Sequence, residues 1–105
     1  MVDLVSGFDW DAGNRDNCRK HGLSLTQIEA VLRRPIAIHP AGLGRAEDRF
    51  IAIGITGDGR HVLIIFTLRA KFGSLLIRPI SGRYMHLREV AHYEKASKTE
   101  NGQGG

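Results

Sequence analysis

At 105 residues the chain amounts to one domain, with room for a single core but little for a deep substrate cavity. Hydrophobic residues make up 42% and charged residues 25%, which excludes a disordered chain, and no apolar run approaches the ~18 residues of a membrane helix. The net charge is +4; residues 1–35 and 97–105 each sum to zero, so the excess lies in 36–96, where seven of nine cations are arginine. That half suits either a solvated basic surface or a polyanionic partner, nucleic acid or an acidic protein.

In chain order, the opening "MVDLVSGFDWD" has no basic segment before an apolar one, so no signal peptide is expected. Residues 8–10 are a short apolar stretch, and Asp11 reads as the N-cap of a polar helix running to about His21, with Gly22 as its stop. Cys18, the single cysteine, is a bystander on that helix and fits a reducing cytoplasm. A second helix restarts at "LSLTQI": Ser24 caps it, Gln27 completes a capping box, and Leu23 can staple onto Ile28. Leu25, Ile28, Val31 and Leu32 form its buried stripe, and Pro35 ends it.

From Ile36 the hydrophobic period becomes two. Residues 36–39 are a candidate strand, "PAGLGRAE" a loop, and Arg49, Ile51, Ile53 and Ile55 alternate. Asp58-Gly59 is a hairpin signal, with residues 61–69 as the returning strand. On it Val62, Ile64, Phe66 and Leu68 face one way, and His61, Leu63, Ile65, Thr67 and Arg69 the other. Residues 74–81 form the last strand, with Pro79 arguing for an edge or a ladder end. A helix over about 84–95 then docks on the sheet through Leu87, Val90 and Ala91. Residues 1–96 make the domain, and the polar, Gly-rich segment 97–105 is an expected disordered tail. The fold class is α+β, with two N-terminal helices, a three- to four-stranded antiparallel sheet and a C-terminal helix.

No Cys/His cluster has zinc spacing, and no Gly-rich phosphate loop or G-x-S-x-G occurs, so neither a metal site nor a cofactor is expected. What remains is the last helix and the strand ends near it. His86, Glu89 and Tyr93 fall within about 60° of one another on a helix. They are either a reactive triplet of base, acid and phenol or an exposed polar face on which Glu89 pairs with an arginine. Arg69 and Arg83 each end a strand, and both are expected near the start of the helix. Arginines beside a carboxylate and a tyrosine could cleave a phosphodiester without metal, using the 2′-OH of RNA as nucleophile.

Several blocks resemble the BrnT family of toxins: "FDWD" at 8–11, "RKHGLS" at 19–24, "EDRFIAIG" at 47–54, "GR" at 59–60, "FTLR" at 66–69 and "IRPISGRYMHLREVAHYE" at 77–94. The resemblance covers about 8–96. It implies a RelE-like fold and a cytoplasmic ribonuclease of a type II toxin–antitoxin pair, which slows translation and growth. Its expected partners are RNA and a BrnA-like antitoxin, a ribbon-helix-helix protein that carries the operator-DNA contact, with dimerisation in the complex left open. It places function on Arg69, Arg83, Glu89 and Tyr93. Arg78, Arg88, Lys20 and His21 are the candidate substrate-binding residues, His21 also serving as a brace of the helical hairpin. Gly82 stands where the family usually has alanine, which loosens the turn that aims Arg83. Leu63 and Ile65 are candidates for a face exposed to the antitoxin. The alternative is a non-catalytic basic module that binds RNA or an acidic protein.

Overall fold

Two reciprocal caps start the helices where the sequence signals them. The computed structural model describes residues 6–41 and 49–95 in full and residues 96–104 as backbone. Asp11 precedes α1 (Ala12–Arg19): its carboxylate accepts the Asn14 N–H at 2.9 Å, and Asn14 Oδ1 accepts the Asp11 N–H at 2.6 Å. Gly22, at φ +90°, takes the left-handed turn after α1 that other residues resist. Ser24 and Gln27 exchange the matching pair of bonds at the start of α2 (Leu25–Arg33). Leu23 and Ile28 are both buried, as the staple requires, and Val31 and Leu32 complete the inner face of α2.

The sheet has five strands in the order β1-β5-β4-β3-β2: β1 (Gly7–Phe8), β2 (Ala37–Ala41), β3 (Arg49–Ile55), β4 (His61–Lys71) and β5 (Ser74–Tyr84). It is mixed rather than purely antiparallel, because β1 runs parallel to β5. The Ser6 N–H donates to the Leu75 carbonyl and the Asp9 N–H to the Ile77 carbonyl, both at 2.8 Å, covering part of the outer edge of β5. A two-residue strand has no alternation to read, which is why sequence pattern misses it. Of the expected loop "PAGLGRAE", Pro40 and Ala41 belong to β2, paired with Phe50 and Arg49; the rest lies outside the described residues.

β4 runs on to Lys71 because Phe72 and Gly73, both at positive φ, make a two-residue turn to β5, and β5 runs past its expected end to Tyr84. Pro79 is not at a ladder end, but it lies past the two residues of β5 that β1 covers, so its outer side is an edge among the described residues. It pairs with Phe66 beside a register shift that leaves Ile80 as the extra residue, and β5 continues to Tyr84.

α1 and α2 cover one face of this sheet. There Ala52, Val62, Ile64, Phe66 and Ile77 pack with Cys18, Leu23, Ile28, Val31 and Leu32 in one core. Gly54 lets Val31 approach so closely that a Cβ at that position would lie 2.5 Å from Val31 Cγ1.

The last helix departs most from expectation. Tyr84 ends β5, paired with Val62, and α3 (Leu87–Gly104) begins three residues later. The apolar arc does not dock: Leu87 is 88% exposed and Ala91 is exposed as well. The core face that would receive it is already filled by α1 and α2, so α3 is held through polar contacts of its first turns. Its helical trace continues through residues 97–104, where composition predicts a tail. Among the described residues, no helix is long and apolar enough to cross a membrane.

Candidate active site and a second basic cleft

Arg83 lies near the end of β5, opposite Leu63, on the sheet face that α1 and α2 leave uncovered. Six residues later the chain has turned into α3, which brings the Glu89 carboxylate back to it. Arg83 Nη1 donates to Glu89 Oε1 at 2.7 Å and Nη2 to Oε2 at 2.8 Å, a two-pronged charge-assisted pair. Glu89 Oε1 also accepts the backbone N–H of His86 at 2.9 Å, so one carboxylate holds the guanidinium and satisfies a free donor at the start of α3. The Arg83 hydrogen bonds, then the His86 N–H, hold the Glu89 carboxyl down at about 2. Arg83 is correspondingly raised. At neutral pH the pair is two fixed charges, suited to stabilising developing charge and ill suited to moving protons.

His61 and Tyr93 lie at the same end of the sheet. His61 opens β4, and its carbonyl accepts the Met85 N–H at 2.9 Å, which binds the β5–α3 turn to β4. Its side chain is 15% exposed, 3.7 Å from the Glu94 carboxylate, and its ring centroid is 6.5 Å from that of Tyr93. Arg60 stacks on Tyr84 with its guanidinium carbon 3.6 Å from the ring centroid. Arg60, His61, Met85, His86, Leu87 and Val90 line an open cleft of about 360 Å³.

Arg69 is not part of this group. Consecutive antiparallel strands end at opposite ends of the sheet, so Arg69, late in β4, and Arg83, late in β5, are carried apart. Arg69 pairs with Leu76 and Arg83 with Leu63, six residues along β4, a separation of about 20 Å at ~3.3 Å per residue. Arg69 gathers instead with Lys71 and Arg78 around Asp9, whose carboxylate is 4.0, 3.1 and 3.4 Å from them. Arg78 Nη2 also donates to Asp11 at 2.6 Å. The Asn14 N–H and then Arg78 lower the Asp11 carboxyl, and that bond raises Arg78. Asn14 Nδ2 donates to the carbonyls of Asp9 and Pro79, both at 2.9 Å, which ties α1 to β1 and β5 beneath this cluster. Beside it lies a second open cleft of about 470 Å³.

The remaining candidates divide between solvent and the Arg83 end. Lys20 and His21 are exposed beyond α1; the neighbouring Gly22 lies against Tyr84, within 3.9 Å of its ring if given a Cβ, so "RKHG" sits at the Arg60–Tyr84 end. Arg88 and His86 are exposed at the start of α3, and Tyr93 is half-buried by His61. Leu63 and Ile65 are half-buried rather than exposed. Sequence reasoning missed His61, although strand parity placed it on the Arg69 face and the Asp58-Gly59 hairpin fixed its end of the sheet. Among the described residues, no three His, Cys, Asp or Glu side chains gather as metal ligands would.

A family model described as ribonuclease toxin, BrnT, of type II toxin–antitoxin system matches residues 10–89. No curated protein matches the chain.

Proposed function

This chain belongs to the BrnT family, ribonuclease toxins of type II toxin–antitoxin systems, and we propose that it cuts RNA internally without a metal ion at the Arg83–Glu89 centre. The observation that carries this reading is the two-pronged hold of Glu89 on Arg83, with the rings of His61 and Tyr93 6.5 Å apart at the same end of the domain. His61 takes the proton from a ribose 2′-OH as the general base. The 2′-oxygen attacks phosphorus, Arg83 stabilises the phosphorane charge, and the bond to the 5′-oxygen breaks. Tyr93 supplies the proton for that leaving oxygen. The products are a 2′,3′-cyclic phosphate and a 5′-hydroxyl. Glu89 positions Arg83 rather than reacting, and Lys20, His21, Arg60 and Arg88 attract the RNA to this end of the domain. In the cytoplasm the cut slows translation and growth. A BrnA-like antitoxin, which also reads the operator DNA, neutralises the toxin by covering this surface. The mass of that complex in solution tells whether it dimerises.

One observation favours a non-catalytic module instead: the Arg83 fork is already engaged by Glu89. On that reading the basic surface holds RNA or an acidic protein, binding is salt-sensitive, no products form, and Glu89→Gln is tolerated. Purified, antitoxin-free chain incubated with RNA in EDTA separates the two. Cleavage that Arg83→Ala abolishes supports the enzyme; intact RNA supports the module.

A further inference from the structure

By strand register, the sheet face that carries Arg83 carries a second concentration of positive charge about 13 to 20 Å away, four to six residues along β4. Thr67 pairs with Arg78 and Phe66 with Phe50, which sets Arg49 and Arg78 on either side of Thr67, with Arg69 two residues further along β4. All three arginines line the larger cleft, together with Asp11, Asn14 and Asn17 from the cap and first turns of α1.

They are engaged to different degrees. Arg78 is braced by Asp11 at 2.6 Å and Asp9 at 3.4 Å. Arg69 has only its 4.0 Å ion-pair contact with Asp9 among the described residues, and its side chain is 42% exposed. The Nε of Arg49 is buried without a hydrogen-bond partner among the described residues. Both side chains line this cleft, Arg69 with exposed donors to spare and Arg49 with its Nε held beneath the surface. The carboxylates that would compete for them, Asp9 and Asp11, are occupied by Lys71 and Arg78. A buried donor left unmade is costly, and the planar fork of arginine matches the oxygens of a phosphate.

We propose that this cleft is a second phosphate site, which grips the backbone of the RNA substrate at a distance from the bond cut at Arg83. The inference rests on RNA being the substrate: a single strand running from Arg69 toward Arg83 meets both centres. It makes Arg49 and Arg69 binding residues, remote from the reacting atoms.

The test is the binding of a short 2′-O-methyl RNA oligonucleotide, which lacks the reactive 2′-OH, to the full chain by fluorescence anisotropy across a salt series. Arg49→Ala/Arg69→Ala should bind about tenfold or more weakly. Its log K against log salt should be shallower by roughly 0.7 for each phosphate that is no longer neutralised. On cleavable RNA the same protein should raise KM far more than it lowers kcat. Arg69→Gln, a milder change, should show the same pattern at reduced size, and variants are used only where they melt cooperatively near the wild-type temperature. Unchanged oligonucleotide binding and salt slope in folded variants overturns the proposal. So does a loss of kcat with KM retained, or a loss seen only toward an acidic protein partner. If wild-type chain binds the oligonucleotide through these arginines yet cuts no RNA, the cleavage reading falls and the cleft stands.

Discussion

Changing Glu89 to glutamine tests what the carboxylate beside Arg83 does. The substitution keeps the shape but removes the charge and one of the two acceptors that hold the guanidinium at 2.7 and 2.8 Å. The new amide NH2 then faces a guanidinium that can only donate, so at most one prong survives. Arg83 gains freedom at the phosphate, and a misplacement of about 1 Å in a positioned catalytic group costs on the order of 100-fold. A fall in kcat of roughly 10- to 100-fold is expected. The pH dependence separates positioning from proton transfer. Glu89 is lowered from an ordinary 4.5 to about 2. The stabilisation from its ion pair is therefore complete above about 4.5 and lost as pH falls toward about 2. Across the neutral range Glu89 does not change charge, and Glu89→Gln should lower the rate without moving either limb of the pH–rate profile. The assay is initial-rate cleavage of a fluorogenic RNA over that range, with wild type and variant side by side. A variant as fast as wild type, or one that loses the acid limb, refutes the positioning role; the latter result would make Glu89 the base.

Other residues carry their own expected outcomes. His61→Gln should remove most of the cleavage in the same initial-rate assay, while binding of the 2′-O-methyl oligonucleotide persists. Gly54→Ala should destabilise by about 1–3 kcal/mol in urea unfolding, since its methyl would meet Val31 Cγ1 at 2.5 Å; Val31→Ala should relieve much of that cost in a double-mutant cycle. Asn14→Ala should cost about 3 kcal/mol by the same assay, because it leaves the Asp9 and Pro79 carbonyls and the Asp11 N–H without their partner. The Cys18 thiol, buried and pushed up to about 11 by burial, should resist alkylation at mildly alkaline pH until the chain unfolds.

The local signals are legible in the sequence because they are local. Asp11 and Ser24 cap where their side chains can reach the third helical N–H, and Asp58-Gly59 turns the chain between β3 and β4. The alternation of Val62, Ile64 and Phe66 locates the core face of β4. What depends on three dimensions is harder to read. The parallel pairing of β1 leaves no periodic trace in two residues. The apolar arc of α3 indicates a docking face but not that α1 and α2 have taken it. Arg69 and Arg83 look like neighbours because both end strands, yet the turn at Phe72-Gly73 makes those strands one hairpin and sends their ends apart. Of the two readings of Glu89, the one that pairs it with an arginine describes its contacts, and it sharpens the candidate site: the carboxylate is a brace.

The central claim, that RNA is cut at Arg83 without metal, is tested most directly by the ends of the products. Antitoxin-free chain and Arg83→Ala are incubated with a defined RNA in EDTA, and the fragments are resolved by mass spectrometry. Cleavage at the Arg83 centre gives fragments ending in 2′,3′-cyclic phosphate and 5′-hydroxyl with wild type, and none with folded Arg83→Ala. Intact RNA, cleavage that requires a divalent ion, or fragments that persist in Arg83→Ala would contradict it.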